Sequence, residues 1–413
     1  MGAFLDKPIT DKTSGQGSGN GLRYGHSSMQ GWRMTMEDAH TTVPNVPGLD
    51  SSSFFGVYDG HCGHTIAKYS SENLLNEFLK HSDLAEVVNS DNNDKVDPAV
   101  LSKVMEEGFV ILDDYMRTIP PWKNGEDQSG TTAVCAFITK TDIICANCGD
   151  SRAIFSRSGD LKLVTRDHKP YNDDERRRIE KAGGSVMMQR VNGSLAVSRA
   201  LGDYEYKSTQ NMPSIEQQVS PQPEIFNCER DYDNDEFLVI ACDGIWDVMS
   251  NQQVLEFVHK ELTIREDRGQ ICDNLIEECF QRGSRDNMSV VLVTFPAAPT
   301  VNEEAVLKDQ EEKKRIAVLT ERIQEKVGSM YTESSMVTVA QALASVESML
   351  EVEEDSSYLR LPKPFKSHKI LCVRRIVETK LTELREKDNN GPGSQLYYGE
   401  EAPEEPSEEP SDT

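Results

Sequence analysis

The chain has 413 residues, a net charge of −26 and a hydrophobic content of 37%. This length suits one large domain plus a smaller one, and the hydrophobic fraction is that of a globular protein. No apolar run approaches the roughly 18 residues of a membrane helix, so we expect no transmembrane segment. The acidic balance argues against nucleic acid as a partner, because a phosphate backbone requires a surface rich in Lys and Arg.

The N-terminal residues 1–20 are polar and rich in Gly and Ser, and we expect a flexible segment there. They lack the apolar core of a signal peptide, which favours an intracellular protein. The nine cysteines are odd in number and scattered, which argues against a disulfide framework. We therefore expect a cytoplasmic and nuclear location.

Short runs rich in β-branched and aromatic residues, bounded by Asp, Gly or Asn, predict strands at 54–58, 132–138, 143–148, 237–242 and 289–295. Between them, apolar spacing and capping residues predict helices at 65–80, 97–116, 172–183, 251–260 and 270–281. Asp97-Pro98 is typical of a helix start, with an N-cap followed by Pro at the first position. Strands and helices alternate without βαβ regularity, which indicates the α+β class.

The strand pattern ends at Pro296-Ala297-Ala298-Pro299, after which helical spacing covers 303–327, 335–351 and 367–387. This division predicts a catalytic domain at 21–296 and a three-helix domain at 297–390. Residues 391–413 contain seven acids and no Lys or Arg, and we expect an acidic disordered tail.

Acidic residues adjoin the ends of four predicted strands: Asp59, Asp150, Asp243 and Asp286. Strand ends are rigid, so carboxylates there can be held close together, and a cation offsets their repulsion. Asp59 and Asp243 also begin the only two Asp-Gly pairs of the sequence, and a single such pair more often marks a turn. The joint pattern favours a metal site.

Six ordered motifs resemble those of the metal-dependent protein phosphatases, the protein phosphatase 2C family. They span about residues 21–295 and read Met36-Glu37-Asp38-Ala39-His40, Val57-Tyr58-Asp59-Gly60-His61, Ser129-Gly130-Thr131-Thr132-Ala133, Asn147-Cys148-Gly149-Asp150-Ser151-Arg152, Ala241-Cys242-Asp243-Gly244-Ile245-Trp246-Asp247 and Ser284-Arg285-Asp286-Asn287-Met288-Ser289. The N-terminal eight residues and the C-terminal helical unit resemble the animal alpha/beta subtype. Six motifs in series are specific, whereas one would be weak evidence.

The resemblance implies a central β-sandwich of two antiparallel sheets flanked by helices (α-β-β-α), plus a small C-terminal helical unit. It implies a protein serine/threonine phosphatase of intracellular signalling, in which water activated by two metal ions attacks the phosphorus of phosphorylated protein substrates. The implied ligands of the two ions are Asp59, the Gly60 carbonyl, Asp243 and Asp286. Glu37 and Asp38 would act through water, and Asp150 with Asp243 would hold a third, weaker ion.

The chemistry agrees with these residue types. Two cations about 3.5–4 Å apart can share one water, lower its pKa and direct it at phosphorus. Oxygen ligands suit Mg²⁺ or Mn²⁺ rather than zinc. Gly60 permits a close backbone approach that a side chain would block.

Two further residues have roles that the resemblance implies. Arg33 resembles the arginine that grips the phosphate, since a guanidinium binds phosphate oxygens in bidentate fashion; taken alone, it would be a surface arginine. His61 resembles the general acid that protonates the departing serine or threonine oxygen. The alternative for His61 is a purely structural histidine held by a nearby carboxylate.

Three other signals are discounted. Cys145 and Cys148 form a lone C-x-x-C without the partners of a zinc site, so we expect them to pack within a strand. The run from Asp231 begins like an EF-hand loop, but Glu236 and Cys242 stand where Gly and Glu are required. The run Arg176-Arg177-Arg178 indicates a solvated helix face. Alternatively, it lies near the cleft and helps to receive the phosphorylated substrate, because the segment 167–206 resembles the flap of the family.

Two other functional classes stay open at this stage. A pseudophosphatase scaffold would lack metal-binding acids, whereas Asp59, Asp243 and Asp286 are all present. A two-metal nuclease would need a basic groove. We expect a monomer.

The N-terminus offers one modification site. The resemblance implies myristoylation of Gly2 after loss of Met1, but the general signal wants Ser or Thr at the sixth position, where this chain has Asp6. An unmodified terminus is the alternative. A single acyl chain would give only weak, reversible membrane contact.

Overall fold

The structure is a computed structural model that describes residues 4–88, 96–331, 337–352 and 366–389. The strands are β1 (Phe4–Gly19), β2 (Leu22–Arg33), β3 (Ala39–Val43), β4 (Ser53–Tyr58), β5 (Gly60–His61), β6 (Gly130–Thr131), β7 (Ala133–Ile138), β8 (Asp142–Cys148), β9 (Arg152–Arg157), β10 (Asp160–Val164), β11 (Val186–Met187), β12 (Arg190–Val191), β13 (Leu201–Gly202), β14 (Glu224–Glu229), β15 (Asp235–Ala241) and β16 (Met288–Thr294). The helices are α1 (Thr65–Lys80), α2 (Ser82–Val88), α3 (Pro98–Met116), α4 (Pro120–Lys123), α5 (Asp173–Lys181), α6 (Asp243–Trp246), α7 (Asn251–Ile264), α8 (Arg268–Gln281), α9 (Glu303–Met330), α10 (Val339–Val352) and α11 (Lys366–Asn389).

Two antiparallel sheets form the centre of the unit Met1–Asp309. Their strand orders are β1-β2-β16-β15-β9-β10 and β14-β8-β7-β4-β3. A third, small sheet has the order β13-β6-β5. The predicted fold class, an α+β sandwich, is confirmed.

The alternation of side chains explains why the central strands are apolar on both faces. In β4, Phe55 and Val57 lie in the core between the two sheets, which also contains Leu238 and Val291. Phe54 and Tyr58 point the other way, into the core that α1 and α3 cover. A third core joins the other sheet to α7 and α8. The layers are therefore helix, sheet, sheet, helix.

The N-terminal segment differs from the prediction of a flexible region. Residues 4–19 are not a flexible segment but the edge strand β1, which pairs with β2 along its length. The glycines there accommodate rings of β2: a Cβ on Gly15 would lie 2.6 Å from His26 Nε2, and one on Gly17 would lie 2.6 Å from Tyr24 Oη. Backbone pairing does not require an apolar pattern, so the polar composition was misleading.

The C-terminal unit, Gln310–Thr413, contains most of α9 together with α10 and α11. Its helices share a core that includes Ile323, Val327, Val346, Val377 and Leu381. The C-terminal helical unit of the predicted fold is thus confirmed. The division of the chain falls inside α9 rather than at 296/297, and the predicted acidic tail 391–413 lies outside the described residues.

Candidate active site

Three acids from three strand ends meet at one end of the sandwich. Asp59 follows β4, Asp150 lies just beyond β8, and Asp243 follows β15 at the start of α6. Carboxylate oxygens of the three lie within 4.8 Å of one another. A second group at the same distance joins Asp59 to Asp38 and to the Cys242 sulfur.

These carboxylates are buried or half-buried, and the chain places little positive charge beside them. Burial, and then the charge of Asp243, raises the pKa of Asp59 well above its usual range. Burial, and then the charge of Asp150, does the same to the pKa of Asp243. Both Asp38 oxygens are buried, and no hydrogen bond of normal geometry reaches them. Burial raises the pKa of this carboxyl to about 7, although the nearby Ser289 hydroxyl and Cys242 thiol act in the opposite direction. Such a cluster of oxygen ligands fits a divalent cation, which would supply the missing positive charge.

Arg33, at the end of β2, forms a bidentate ion pair with Asp286: Nε and Nη2 each lie 2.8 Å from a carboxylate oxygen. The hydrogen bond to Asp286 raises the pKa of Arg33, and the charges of Asp243 and Asp59 act in the same direction. The structure therefore brings both predicted residues to the site but pairs them with each other. This contact spans 253 positions, and no local pattern in the sequence predicts it.

Glu37 and Gly60 meet backbone to backbone. A Cβ on Gly60 would lie 2.3 Å from the Glu37 carbonyl oxygen, so a larger residue would push the two segments apart. The Glu37 N–H donates to Asn287 Oδ1 at 2.9 Å, while the Asn287 amide donates to the carbonyls of Gln30 and Thr35. Asn287 thus holds the loop that brings Glu37 and Asp38 to the cluster.

His61 is held by a carboxylate that sequence reasoning missed. Its Nε2 lies 2.7 Å from Oδ2 of Asp203, whose side chain is 3% exposed. Burial lowers the pKa of His61, but the charge and hydrogen bond of Asp203 outweigh it, and the net shift is upward. The imidazole is therefore stabilised in its protonated form.

Asp150 is also paired. Lys169 Nζ donates to Asp150 Oδ2. Burial lowers the pKa of Lys169, but Asp150 outweighs this effect and the net shift is upward. The acid predicted to hold a third ion therefore already faces one positive charge from the chain itself.

The discounted signals have structural roles in the described residues. Cys145 and Cys148 are free thiols buried within β8. Asp235 is fully buried and forms ion pairs with Arg157 and Arg230 rather than a calcium loop. Arg178 turns inward from α5, where it pairs with Glu175, so the basic run is only partly a solvated face.

Four neighbours of the site were missed: Asp203, Lys169, Cys242 and Asn287. Cys242 and Asn287 adjoin predicted ligands and lie inside quoted motifs, so their proximity was available from the sequence. Asp203 follows Gly202 at the end of a two-residue strand, which is too short to give a sequence pattern.

Gly2 is the remaining predicted site residue, and it lies outside the described residues. Within the described part of the chain, every helix is too short or too polar to cross a bilayer.

A half-buried carboxylate cluster at the ends of sandwich strands, beside an arginine and a carboxylate-held histidine, fits a metal-dependent phosphohydrolase. The chain belongs to the protein phosphatase 2C family, which matches residues 22–288, and the C-terminal domain of protein serine/threonine phosphatase 2C matches residues 289–351. It is accordingly a metal-dependent protein serine/threonine phosphatase. The family membership, the enzyme class and the function predicted from the six motifs are confirmed.

Individual proteins similar to this chain are also protein phosphatases. Mouse protein phosphatase 1B is 51% identical over 331 residues, covering 79% of this chain and 84% of the relative. Human protein phosphatase 1A is 47% identical over 346 residues, covering 84% of this chain and 89% of the relative. A solved phosphatase from Toxoplasma gondii has a TM-score of 0.58 and 24% identity, and covers 69% of this chain and 96% of its own; this likeness supports the fold.

Proposed function

We propose that this phosphatase hydrolyses phosphoserine and phosphothreonine with two Mg²⁺ or Mn²⁺ ions at the Asp59 cluster. The observation that carries the proposal is the meeting of three carboxylates within 4.8 Å at the strand ends. Asp59, the Gly60 carbonyl, Asp243 and Asp286 would hold the ions. When bound, the ions lower the pKa of a water molecule and offset charge on the phosphoryl group.

Glu37 and Asp38 would hold water molecules around the ions. Asp150 with Asp243 would take a third, weaker ion. Support for a role of Asp38 through water comes from its two buried oxygens, which no hydrogen bond of normal geometry satisfies and which can accept from water.

Arg33 would bind two oxygens of the substrate phosphate. Its planar guanidinium suits bidentate binding of this kind. The Asp286 carboxylate already occupies the guanidinium in this way, because it presents two oxygens much as a phosphate does. Substrate binding therefore requires Arg33 to exchange or share its partner.

His61 would protonate the leaving oxygen. As the bond from phosphorus to water oxygen forms and the ester P–O bond breaks, the imidazolium gives its proton to the serine or threonine oxygen, and neutral imidazole remains. The upward pKa shift of His61 supports this role, because the acid must carry its proton at neutral pH.

The test uses a phosphoserine peptide, with and without added Mn²⁺, and compares wild type with Asp243→Asn. We expect turnover only in wild type with metal. Single-stranded DNA serves as the competing substrate, and its cleavage would favour the nuclease alternative. Folded wild type that ignores the peptide at all metal concentrations would favour a scaffold role.

For the cellular setting, we propose a monomer located in the cytoplasm and nucleus, acting on phosphorylated proteins and not on nucleic acid. Support comes from eight cysteines that are free thiols in the described residues, as expected in a reducing compartment. Myristoylation of Gly2 is proposed from the resemblance of the N-terminus, and it would add only reversible membrane contact. Intact-mass analysis of protein from its native cells decides the modification: an unmodified glycine throughout refutes it.

A further inference from the structure

The contact between His61 and Asp203 is built by the small third sheet. In this sheet β6 lies between β5 and β13, and Gly130 is the register partner of both His61 and Gly202. Asp203 directly follows β13. Three chain segments that are far apart in sequence thus meet to form this one pair.

The pair also depends on a glycine at position 130 and on an unusual backbone conformation at Asp203. A Cβ on Gly130 would lie 2.4 Å from Asp203 Oδ2 and 2.5 Å from His61 Nε2, so only glycine leaves space for the contact. Asp203 itself has φ 52° and ψ 42°, the left-handed region that non-glycine residues rarely occupy. Its N–H donates to the Ser129 carbonyl at 3.2 Å, which helps to hold this conformation. A strained conformation persists only where its surroundings enforce it.

A buried ion pair supplies that enforcement. Asp113 of α3 and Lys207 have side chains that are 2% and 1% exposed, and their charged atoms lie 2.8 Å apart. The other Asp113 oxygen accepts from the Gly202 N–H at 2.7 Å, and Lys207 donates to the Ala200 carbonyl at 2.9 Å. The chain on both sides of Asp203 is therefore attached to α3.

We propose that Asp203 is a positioning residue for the phosphatase reaction, which holds the His61 ring through Nε2 and leaves Nδ1 to face the leaving oxygen. This inference rests on the proposed acid role of His61. In the reaction, the Nδ1 proton passes to the serine or threonine oxygen as the ester bond breaks. The Nε2–H stays hydrogen-bonded to Asp203, so the ring returns to one defined neutral tautomer.

The test compares two substrates whose leaving groups differ in their need for a proton. Asp203→Asn keeps the shape but removes the charge, and the Asn amide can also rotate to present NH₂ to the ring. We expect turnover of a phosphoserine peptide to fall about 10- to 100-fold, since a misplaced acid loses only part of the roughly 100- to 10,000-fold contribution of general acid catalysis. Turnover of p-nitrophenyl phosphate should fall less than about 3-fold. His61→Gln should show the same split. Glu205→Gln, an exposed acid on the same segment, is the matched control and should leave both rates unchanged.

The outcomes separate the inference from the proposed function. A split in His61→Gln together with equal losses on both substrates in Asp203→Asn would overturn the positioning role alone. Equal losses in His61→Gln would remove the acid, and the inference with it. Imidazole ¹⁵N spectra of wild type give a test that needs no variant: neutral His61 protonated at Nε2 supports the inference, and protonation at Nδ1 overturns it.

Discussion

Lys207→Met should destabilise the catalytic unit strongly. The substitution keeps the volume of the side chain but leaves the Asp113 carboxylate buried, with the Gly202 N–H as its remaining hydrogen-bond donor among the contacts described above. Breaking a buried ion pair by removing one partner costs about 3–5 kcal/mol. Unfolding entropy is about 2.1 cal/mol/K per residue, or about 0.65 kcal/mol/K for the unit Met1–Asp309, so the melting temperature should fall by about 5–8 °C.

The assay is thermal unfolding of the full chain by circular dichroism, in buffer with EDTA so that metal binding does not contribute. The double variant Asp113→Asn with Lys207→Met removes both charges and retains an acceptor for the Gly202 N–H. Burial raises the pKa of Asp113 even though Lys207 is present, which indicates that the uncharged form suits this site. The double variant should therefore regain most of the loss. Two results would refute this reasoning: a loss of less than about 1 kcal/mol of unfolding free energy in Lys207→Met, or a double variant that is no more stable than Lys207→Met.

Three further predictions concern the site and the segment beside it. Asp59→Asn and Asp243→Asn should each abolish most turnover yet melt no lower than wild type in EDTA, because each relieves repulsion in the buried cluster; full activity in EDTA would contradict this. Arg33→Ala should raise KM for a phosphopeptide more than it lowers kcat, since it removes a phosphate contact, and an unchanged KM would count against that role. Burial raises the pKa of Glu175, but its arginine partners outweigh burial and hold it at about 2. The ionised Glu175 stabilises the folded state fully at a pH above the pKa of an unfolded glutamate, about 4.3, and this contribution is lost as the pH falls toward 2. Between these two pH values, the free energy of unfolding of Glu175→Gln should therefore depend less on pH than that of wild type.

Elements with local signals were predictable. The helix at 65–80 and the start of α3 after Asp97 appear as expected, because apolar spacing and an N-cap with Pro are local features. The buried strands also agree to within two residues at each end. Here each side chain is apolar because it faces one of two cores, and no tertiary information is needed to see that.

Contacts between distant segments were not predictable. The pair of His61 with Asp203 spans 142 positions, and that of Arg33 with Asp286 spans 253. No spacing rule reports such distances, since they arise only when the sheets assemble. The strand β1 was not predicted because its local signal was misleading. Its glycines indicated flexibility, whereas they are needed to leave space for the rings of β2.

The position of β1 has a practical consequence for work with this enzyme. Phe4 is the register partner of Arg33, and its ring lies under the guanidinium of Arg285, 5.8 Å away. Three residues of extended chain reach at most roughly 10 Å. An affinity tag joined to the chain just before Phe4 would thus begin near the arginine proposed to bind phosphate. Purification tags belong at the other end of the chain, and kinetic constants from N-terminally tagged protein should be compared with those of the cleaved form.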